Sequence, residues 1–526
     1  MTNTGGHDGH SDHTLPVGRT GGAEPGTRAA PTGRLRRWRA PFGIFALLLV
    51  TFTTWTIGMP LFTSPDEAAH LYKAYGTAHF EALGEALPDQ STNIRLFDVP
   101  AQMGTPDLRC YFGFPSLPAD CAVGSAGVTV STASVYPPFW YAVVGGAARA
   151  VGQDTHQRVY RFTSAMLCAL LIALAFESAR RSRAATLSPL LLIGLTPMAV
   201  FLAGTLNPNA FEVAGFMLAW SLCLHLGHPR AATVRGGLIA GGLVAALLLS
   251  RFASVVWVAA GALAVAALSG IAGIRQLGRR FFVPALGCAV AAVAALVAWS
   301  AYSNVNVKDS RTASDWSRGR VVRHTLSTLP DLSEQMIGVL GWLDTPLPVI
   351  VHWLFAAFTV VVLAGVALCR DGRVIAAAAV VVAALVIVPV GINVISAPTA
   401  GLIWQGRYSL PMYAAFGVIG MLAWQRVLDR TDDRRVIASA LRYGACGVFA
   451  VAEVVAFWQA LRRYTVGVGG TGGTGGANDP VWLSGSLPWQ PDVAPMLLLA
   501  INAAAVTGLC AVILRSTATE RLHAPR

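Results

Sequence analysis

Twelve strongly apolar runs, most of them close to twenty residues long, punctuate the chain. They lie near 41–63, 159–178, 185–205, 209–226, 233–250, 252–270, 282–302, 350–369, 374–395, 408–424, 440–461 and 495–514. A helix needs about 20 apolar residues to cross the hydrocarbon core of a bilayer. The pattern predicts an all-α polytopic membrane protein with about 12 transmembrane helices. A shorter stretch, Pro137 to Val151, is too brief to cross and reads as a re-entrant or interfacial helix.

The charge count agrees. Only 66 of 526 residues, 13%, are charged, against about 25% in an ordinary soluble domain. That is too few to coat several soluble domains, and it speaks against nucleic-acid binding despite the +12 net charge. With the N-terminus in the cytoplasm, the inner segments hold 24 Arg and the outer ones 15 basic residues. The inner set also clusters at span ends, as in Arg34, Arg36, Arg37, Arg39 and in Arg180, Arg181, Arg183. This is the positive-inside pattern, so most of the net charge reports orientation and contact with anionic lipid. Both termini are expected in the cytoplasm and the chain in the plasma membrane.

Residues 1–40 read as a disordered cytoplasmic tail, 41–515 as the membrane domain and 516–526 as a second cytoplasmic tail. Large external loops are expected at 64–135 and 303–349, with a Gly-rich external linker at 466–477. Six of the eight cysteines fall in or beside spans; Cys110 and Cys121 share an external loop, where an oxidising compartment favours a bridge between them. The sequence contains no zinc-type Cys/His spacing, phosphate-binding glycine loop or nucleophile elbow.

A pump or transporter usually carries ionisable residues at mid-membrane. Here Glu453 is the one acid well inside a span; the other unusual polar residues gather at the outer boundary. The first loop opens Ser64-Pro65-Asp66-Glu67-Ala68-Ala69-His70. Ser64 as N-cap, Pro65 at the first helical position and Glu67 three residues after the cap would make a capping box. The following helix, with Leu71, Tyr72, Tyr75 and Ala78, would lie on the membrane surface. Capping requires neither Asp66 nor His70, which share a face at i, i+4; a site and a plain cap both stand. Tyr136-Pro137-Pro138, Arg158 and Arg161, Asn207-Pro208-Asn209-Ala210-Phe211-Glu212, Arg251 and Gln405-Gly406-Arg407-Tyr408 occupy the same boundary. Several Arg beside carboxylates suit a phosphate-bearing lipid and a hydroxyl acceptor. Leu340-Gly341-Trp342-Leu343-Asp344 reads as a surface helix, with Asp344 a further site candidate.

The run SPDE-x-x-H after the first span, Tyr-Pro-Pro before the second, NPN-A after the third and GRY at a late span resemble the bacterial membrane-protein family called domain of unknown function 2142. The resemblance covers roughly residues 41–460. That family is similar to GT-C glycosyltransferases, which use polyprenyl-phosphate sugars and carry an acidic motif in the first external loop. The resemblance implies a GT-C-like fold and transfer of a sugar to a cell-envelope glycan, lipid or protein at the outer membrane face. It implies Asp66 as base, Glu67 assisting, and His70 orienting Asp66 or completing a divalent-cation site with both acids. Arg251, Arg407 and Arg161 would hold the phosphate, with Tyr136, Asn207, Asn209 and Tyr408 as substrate contacts. In the second external loop, the mixed charges around Trp316 read either as an acceptor-binding lid with carbohydrate stacking on Trp316 or as a solvated loop. The chain departs from the simplest GT-C pattern in lacking an Asp-Asp pair in the first external loop and a large C-terminal soluble domain. The rival readings are a transporter or flippase of a lipid-linked glycan, with Glu453 facing a polar path, and a non-catalytic envelope scaffold.

Overall fold

The computed structural model describes residues 32–87, 94–104, 113–121, 129–226, 232–303, 313–468 and 487–518. Within them the chain is mostly helical, and residues from Ala40 on form one compact unit. The expected N-terminal tail lies outside the described residues up to 31; from Thr32 the chain is already helix. Cys110, the side chain of Cys121 and most of the Gly-rich linker also lie outside them.

Among the described residues, seven helices are long and apolar enough to cross a membrane, or eight with one bent pair. Five are uninterrupted counterparts of the apolar runs: α1 (Thr32–Gly58), α4 (Gln157–Arg180), α11 (Val349–Leu368), α12 (Gly372–Ala400) and α16 (Pro495–Ala518). A sixth, α15 (Arg434–Thr465), extends its run at both ends. The seventh, α8 (Ala253–Ser303), has 51 residues. At 1.5 Å per residue a straight helix of that length would measure about 76 Å, against a core of about 30 Å. Gly270 and Gly278 interrupt it, with φ 63° at each. Only glycine enters that region without a Cβ penalty, so the two apolar runs 252–270 and 282–302 are separate helical halves.

The bent pair consists of the 3-10 segment Ala185–Gly194 and α5 (Pro197–Ala203), which meet at 77°. Pro197 starts α5, and the Thr196 hydroxyl caps it by accepting from Ala199 N–H at 3.2 Å. The shorter apolar helices are α6 (Pro208–Cys223), α7 (Val234–Leu248), α13 (Leu410–Tyr413) and α14 (Ala415–Leu428). Trp55 of α1 is fully buried at the bundle centre, edge-on to Phe201 and Phe457 at 5.6 and 5.0 Å.

Two helices between α1 and α4 belong to the polar end of the molecule: α2 (Glu67–Ala78) and α3 (Phe139–Ala150). The short helix expected from Pro137 is α3. The expected surface position of α2 is not observed: eight of its twelve residues are buried, and it packs against α3. Near it lies a small antiparallel sheet of β1 (Glu85–Ala86), β2 (Arg95–Leu96) and β3 (Val130–Ser131). The connection from α8 to α11 holds α9 (Arg318–Ser327), α10 (Leu329–Gly338) and a hairpin of β4 (Val339–Leu340) and β5 (Thr345–Pro346). That hairpin stands where a surface helix was expected. Gly341 and Leu343 both have φ 62°, and a helix tolerates neither.

Candidate functional site

The turn from Met59 to Glu67 is tied down from three sides. Arg161 of α4 donates from Nη1 to the carbonyls of Thr56 and Met59 (3.2 and 3.1 Å) and from Nη2 to Pro60 O (2.7 Å). Its Nε and Nη2 clasp the two oxygens of Glu67 at 2.5 and 2.8 Å. Trp342 Nε1 of the hairpin donates to Phe62 O at 3.0 Å. From α6, Asn207 Nδ2 donates to Pro65 O (3.0 Å) and Leu206 N–H to Glu67 Oε1 (3.2 Å).

These contacts replace the expected capping box. Helix α2 begins at Glu67 with Asp66 as its N-cap, and no side chain caps it. Of the predicted box only a 3.4 Å contact from Ser64 N–H to Glu67 Oε2 remains, and the buried Ser64 hydroxyl has no partner among the described residues. A local cap is worth about 1 kcal/mol, and a buried bidentate ion pair outweighs it.

The two neighbouring carboxylates therefore part. Glu67 is buried and saturated. Asp66 stands in a left-handed conformation (φ 62°, ψ 11°). Its side chain is 40% exposed and pairs with Nη2 of Arg407, itself 1% exposed, at 2.9 Å.

Arg407 reaches this position on a turn held by four contacts. Gly406 N–H donates to Gln335 Oε1 of α10 at 2.9 Å, and Trp257 Nε1 of α8 to Tyr408 O at 2.8 Å. Trp404 N–H donates to Asn393 Oδ1 of α12 at 3.0 Å, and its Nε1 to Ser409 Oγ at 3.3 Å. Glycine is required at 406, because a Cβ there would run into the Leu332 carbonyl. Nη2 of Arg407 also donates to the Tyr408 hydroxyl at 3.2 Å, while its buried Nε and Nη1 have no partner among the described residues.

Arg251 lies between α7 and α8. Nη1 donates to Glu212 Oε2 at 2.6 Å, and its buried Nε has no partner among the described residues. Glu212 in turn accepts from Ser254 Oγ (2.5 Å) and Asn209 Nδ2 (3.2 Å). The Tyr408 ring lies between the two guanidiniums, 4.7 Å from Arg251 Cζ and 5.1 Å from Arg407 Cζ. Arg251 Cζ is also 5.9 Å from the ring centre of Tyr136. Burial raises the Tyr136 phenol above its usual range, while the Arg251 charge works against that shift.

His70 does not face Asp66. Its Nδ1 meets the Tyr141 hydroxyl at 2.9 Å. Burial lowers its pKa to about 3, with Arg251 and Arg407 pushing the same way and Asp66 opposing. The imidazole is thus neutral at neutral pH. Lys73, one turn further along α2, donates from Nζ to the carbonyls of Ala82 and Ser134 and lies 4.7 Å from the Trp299 ring. Burial lowers its pKa to about 7.

An apolar crevice of about 500 Å³ opens directly after Tyr136, lined by Pro137, Phe139, Leu249, Ala295, Trp299 and Tyr302 among others. It lies two residues along the chain from Arg251 and is walled by the second half of α8, whose Val290, Val293 and Val297 are exposed.

Of the residues singled out from the sequence, Asp66, Arg251, Arg407, Tyr136, Tyr408 and Asn209 converge. Asn209 contributes an Oδ1 that has no partner among the described residues. Arg161, expected on the phosphate, has all five N–H groups engaged and none to offer a ligand. Asn207 is committed to backbone: its Oδ1 accepts from Asn209 N–H and its Nδ2 holds Pro65 O. Trp316 is not brought to the cluster; it precedes α9 and lies against that helix, edge-on to His324 and 4.2 Å from Arg320 Cζ. Asp344 accepts from Arg463 Nη2, Gly113 N–H and the Thr345 hydroxyl. Glu453 is buried, with one oxygen accepting from Trp55 Nε1 at 2.6 Å.

The residues do not fit the metal site considered from the sequence. Glu67 is taken by Arg161 and His70 by Tyr141, and no three His, Cys, Asp or Glu among the described residues group around one point. Glu212 and Ser254, which seat Arg251, were not singled out as site residues. Their signal is weak: a carboxylate and a hydroxyl each three residues after a boundary Asn or Arg.

Residues 48–416 match the model of a family described as Predicted membrane protein (DUF2142). The chain belongs to that family. Two solved structures are similar to it. One is ArnT from Cupriavidus metallidurans bound to undecaprenyl phosphate, with 14% identity, 94% of this chain and 79% of that one covered, and a TM-score of 0.44. The other is the same protein in the apo state, with 15% identity, coverage of 92% and 77%, and a TM-score of 0.46. No curated protein matches significantly.

Proposed function

We propose that this protein is a GT-C-like membrane glycosyltransferase. It moves a sugar from a polyprenyl-phosphate donor to a hydroxyl of a cell-envelope glycan, lipid or protein, at the outer face of the cytoplasmic membrane. One observation carries the reading. A half-exposed carboxylate, Asp66, is paired with a buried arginine whose Nε and Nη1 are unpartnered, beside a second arginine with an unpartnered Nε. Orphaned buried donors are costly, and a phosphate supplies the missing acceptors.

In this mechanism the acceptor oxygen attacks the anomeric carbon from the face opposite the phosphate. Asp66 takes the hydroxyl proton as the carbon–oxygen bond to phosphate breaks. The bonding electron pair leaves on the phosphate oxygen, and Arg407 and Arg251 stabilise that growing charge. The lipid chain would occupy the apolar crevice behind Tyr136. Tyr136, Tyr408 and Asn209 face the sugar, and Trp316 remains a candidate acceptor contact outside the reacting cluster. The topology that goes with this reading has twelve crossings: α1, α4, the bent pair, α6, α7, two in α8, α11, α12, α13 with α14, α15 and α16. Both termini then lie in the cytoplasm.

The test is transfer of labelled sugar from polyprenyl phosphate by the purified protein, with envelope glycan as acceptor. Wild type should transfer and Asp66→Asn should not; equal turnover would remove Asp66 from the base role. Flippase activity is the competing outcome, namely movement of a lipid-linked glycan across vesicles without bond formation. That reading requires a polar path past Glu453, one oxygen of which accepts from Trp55 Nε1 in the bundle interior while the other has no partner among the described residues.

A further inference from the structure

Asp66 holds a backbone conformation that an L-residue with a side chain rarely adopts, and four positions earlier Phe62 does the same, with φ 67°. Two such residues in one short turn persist only when their surroundings over-determine them. Here the surroundings are explicit. Arg161 spends all five N–H groups on Glu67 and on the carbonyls of Thr56, Met59 and Pro60. Asn207 holds Pro65 O, and Leu206 N–H a Glu67 oxygen. None of these groups has a donor directed at the cluster around Arg407.

The sequence offers this turn an alternative. Ser64 can cap a helix that begins at Pro65 and reaches Glu67 at its third position. That helix would give Asp66 right-handed φ and ψ and turn its carboxylate onto the helix surface, away from Arg407. The Ser64 hydroxyl, buried without a partner, is what remains of the cap the turn has given up.

We propose that Glu67, Arg161 and Asn207 are positioning residues. They form a closed clamp that keeps the Ser64–Asp66 turn out of the helix and holds the Asp66 carboxylate on Arg407. The inference rests on the reading of Asp66 as the base and assigns Glu67 no proton of its own. Glu67 acts by displacing the cap, and Arg161 by making that displacement favourable.

The first experiment compares wild type, Glu67→Gln and Asn207→Ala in the sugar-transfer assay, each checked for monodispersity and thermal midpoint. Misplacing a catalytic group by about 1 Å costs on the order of 100-fold in rate. We expect kcat to fall about 10- to 100-fold. KM for the polyprenyl-phosphate sugar should stay within about twofold, because Arg251 and Arg407 are untouched. A folded Glu67→Gln protein with wild-type kcat, or one in which only KM rises, overturns the clamp. Asn207→Ala removes no charge and decides the matter if Glu67→Gln aggregates.

The second experiment needs no turnover. In full-length Asp66→Cys, the rate of modification by a water-soluble maleimide reports where the side chain at 66 points. Adding Asn207→Ala should change that rate several-fold, and an unchanged rate overturns the clamp. Absence of transfer by wild type would end the base reading while leaving this second result to judge the clamp.

Discussion

Two arginine–carboxylate pairs lie side by side where α1 gives way to α2, and they are built in opposite ways. Glu67–Arg161 is closed: both side chains are buried, every arginine N–H is used, and both carboxylate oxygens are bound. Asp66–Arg407 is open. The carboxylate is partly exposed and makes one bond to an arginine whose other nitrogens are orphaned. A buried pair that satisfies itself serves architecture. One left partly unsatisfied is, in the function proposed above, the pair that receives the donor phosphate. The contrast separates adjacent residues that local patterning treats as equivalent.

Substitutions on either side sharpen it. The largest effect is expected at the open pair: Asp66→Asn should lower sugar transfer on the order of 1000-fold, the range for loss of a general base. Its thermal midpoint should fall less than that of Arg161→Ala, because Asp66 is partly exposed and an Asn oxygen can still accept from Arg407 Nη2. Arg407→Gln should come next, lowering transfer about 100-fold as the phosphate loses a charge-bearing donor. A rate near wild type for either variant would dissolve the distinction. Arg161→Ala should act on folding instead. Removing one partner of a buried pair costs about 3–5 kcal/mol, visible as a lower denaturation midpoint or loss of monodisperse protein. A stable Arg161→Ala protein with selectively lost donor binding would return Arg161 to the ligand.

At neutral pH the smallest effects are those of His70 and Lys73, which appear only as the pH is moved. His70 titrates near 3 in the folded chain and near 6.5 unfolded. Between those values the unfolded chain binds more protons, so stability falls as pH drops from 6.5 towards 3. His70→Gln should flatten that slope. Lys73, near 7 folded and 10.5 unfolded, has the same sign: stability should rise from pH 7 to 10.5, and Lys73→Met should remove that rise.

Much of the fold was legible in the runs of apolar residues, because a bilayer imposes one length and one hydropathy on whatever crosses it. Even the 51-residue α8 divides at its glycines where the two runs end. Asp66 and Arg407 were legible because ionisable residues are scarce in such a chain. Local patterning failed where a distant group overruled it. The Ser64 cap gave way to Arg161, 94 positions after Glu67. The stretch 340–344 became a hairpin whose Trp342 reaches the carbonyl of Phe62. His70 turned to Tyr141, 71 positions away, and not to Asp66 one turn before it.

By itself, the sequence determined that this is a multi-pass helical membrane protein of a recognisable family. It also limited the candidate chemistry to a handful of boundary residues, since hydropathy and charge act through composition and spacing alone. The tertiary structure decided which carboxylate stays partly exposed, which arginine is spent and which nitrogens lack partners among the described residues. Those are matters of hydrogen-bond saturation between residues far apart in the chain, and saturation is settled only when the helices have packed.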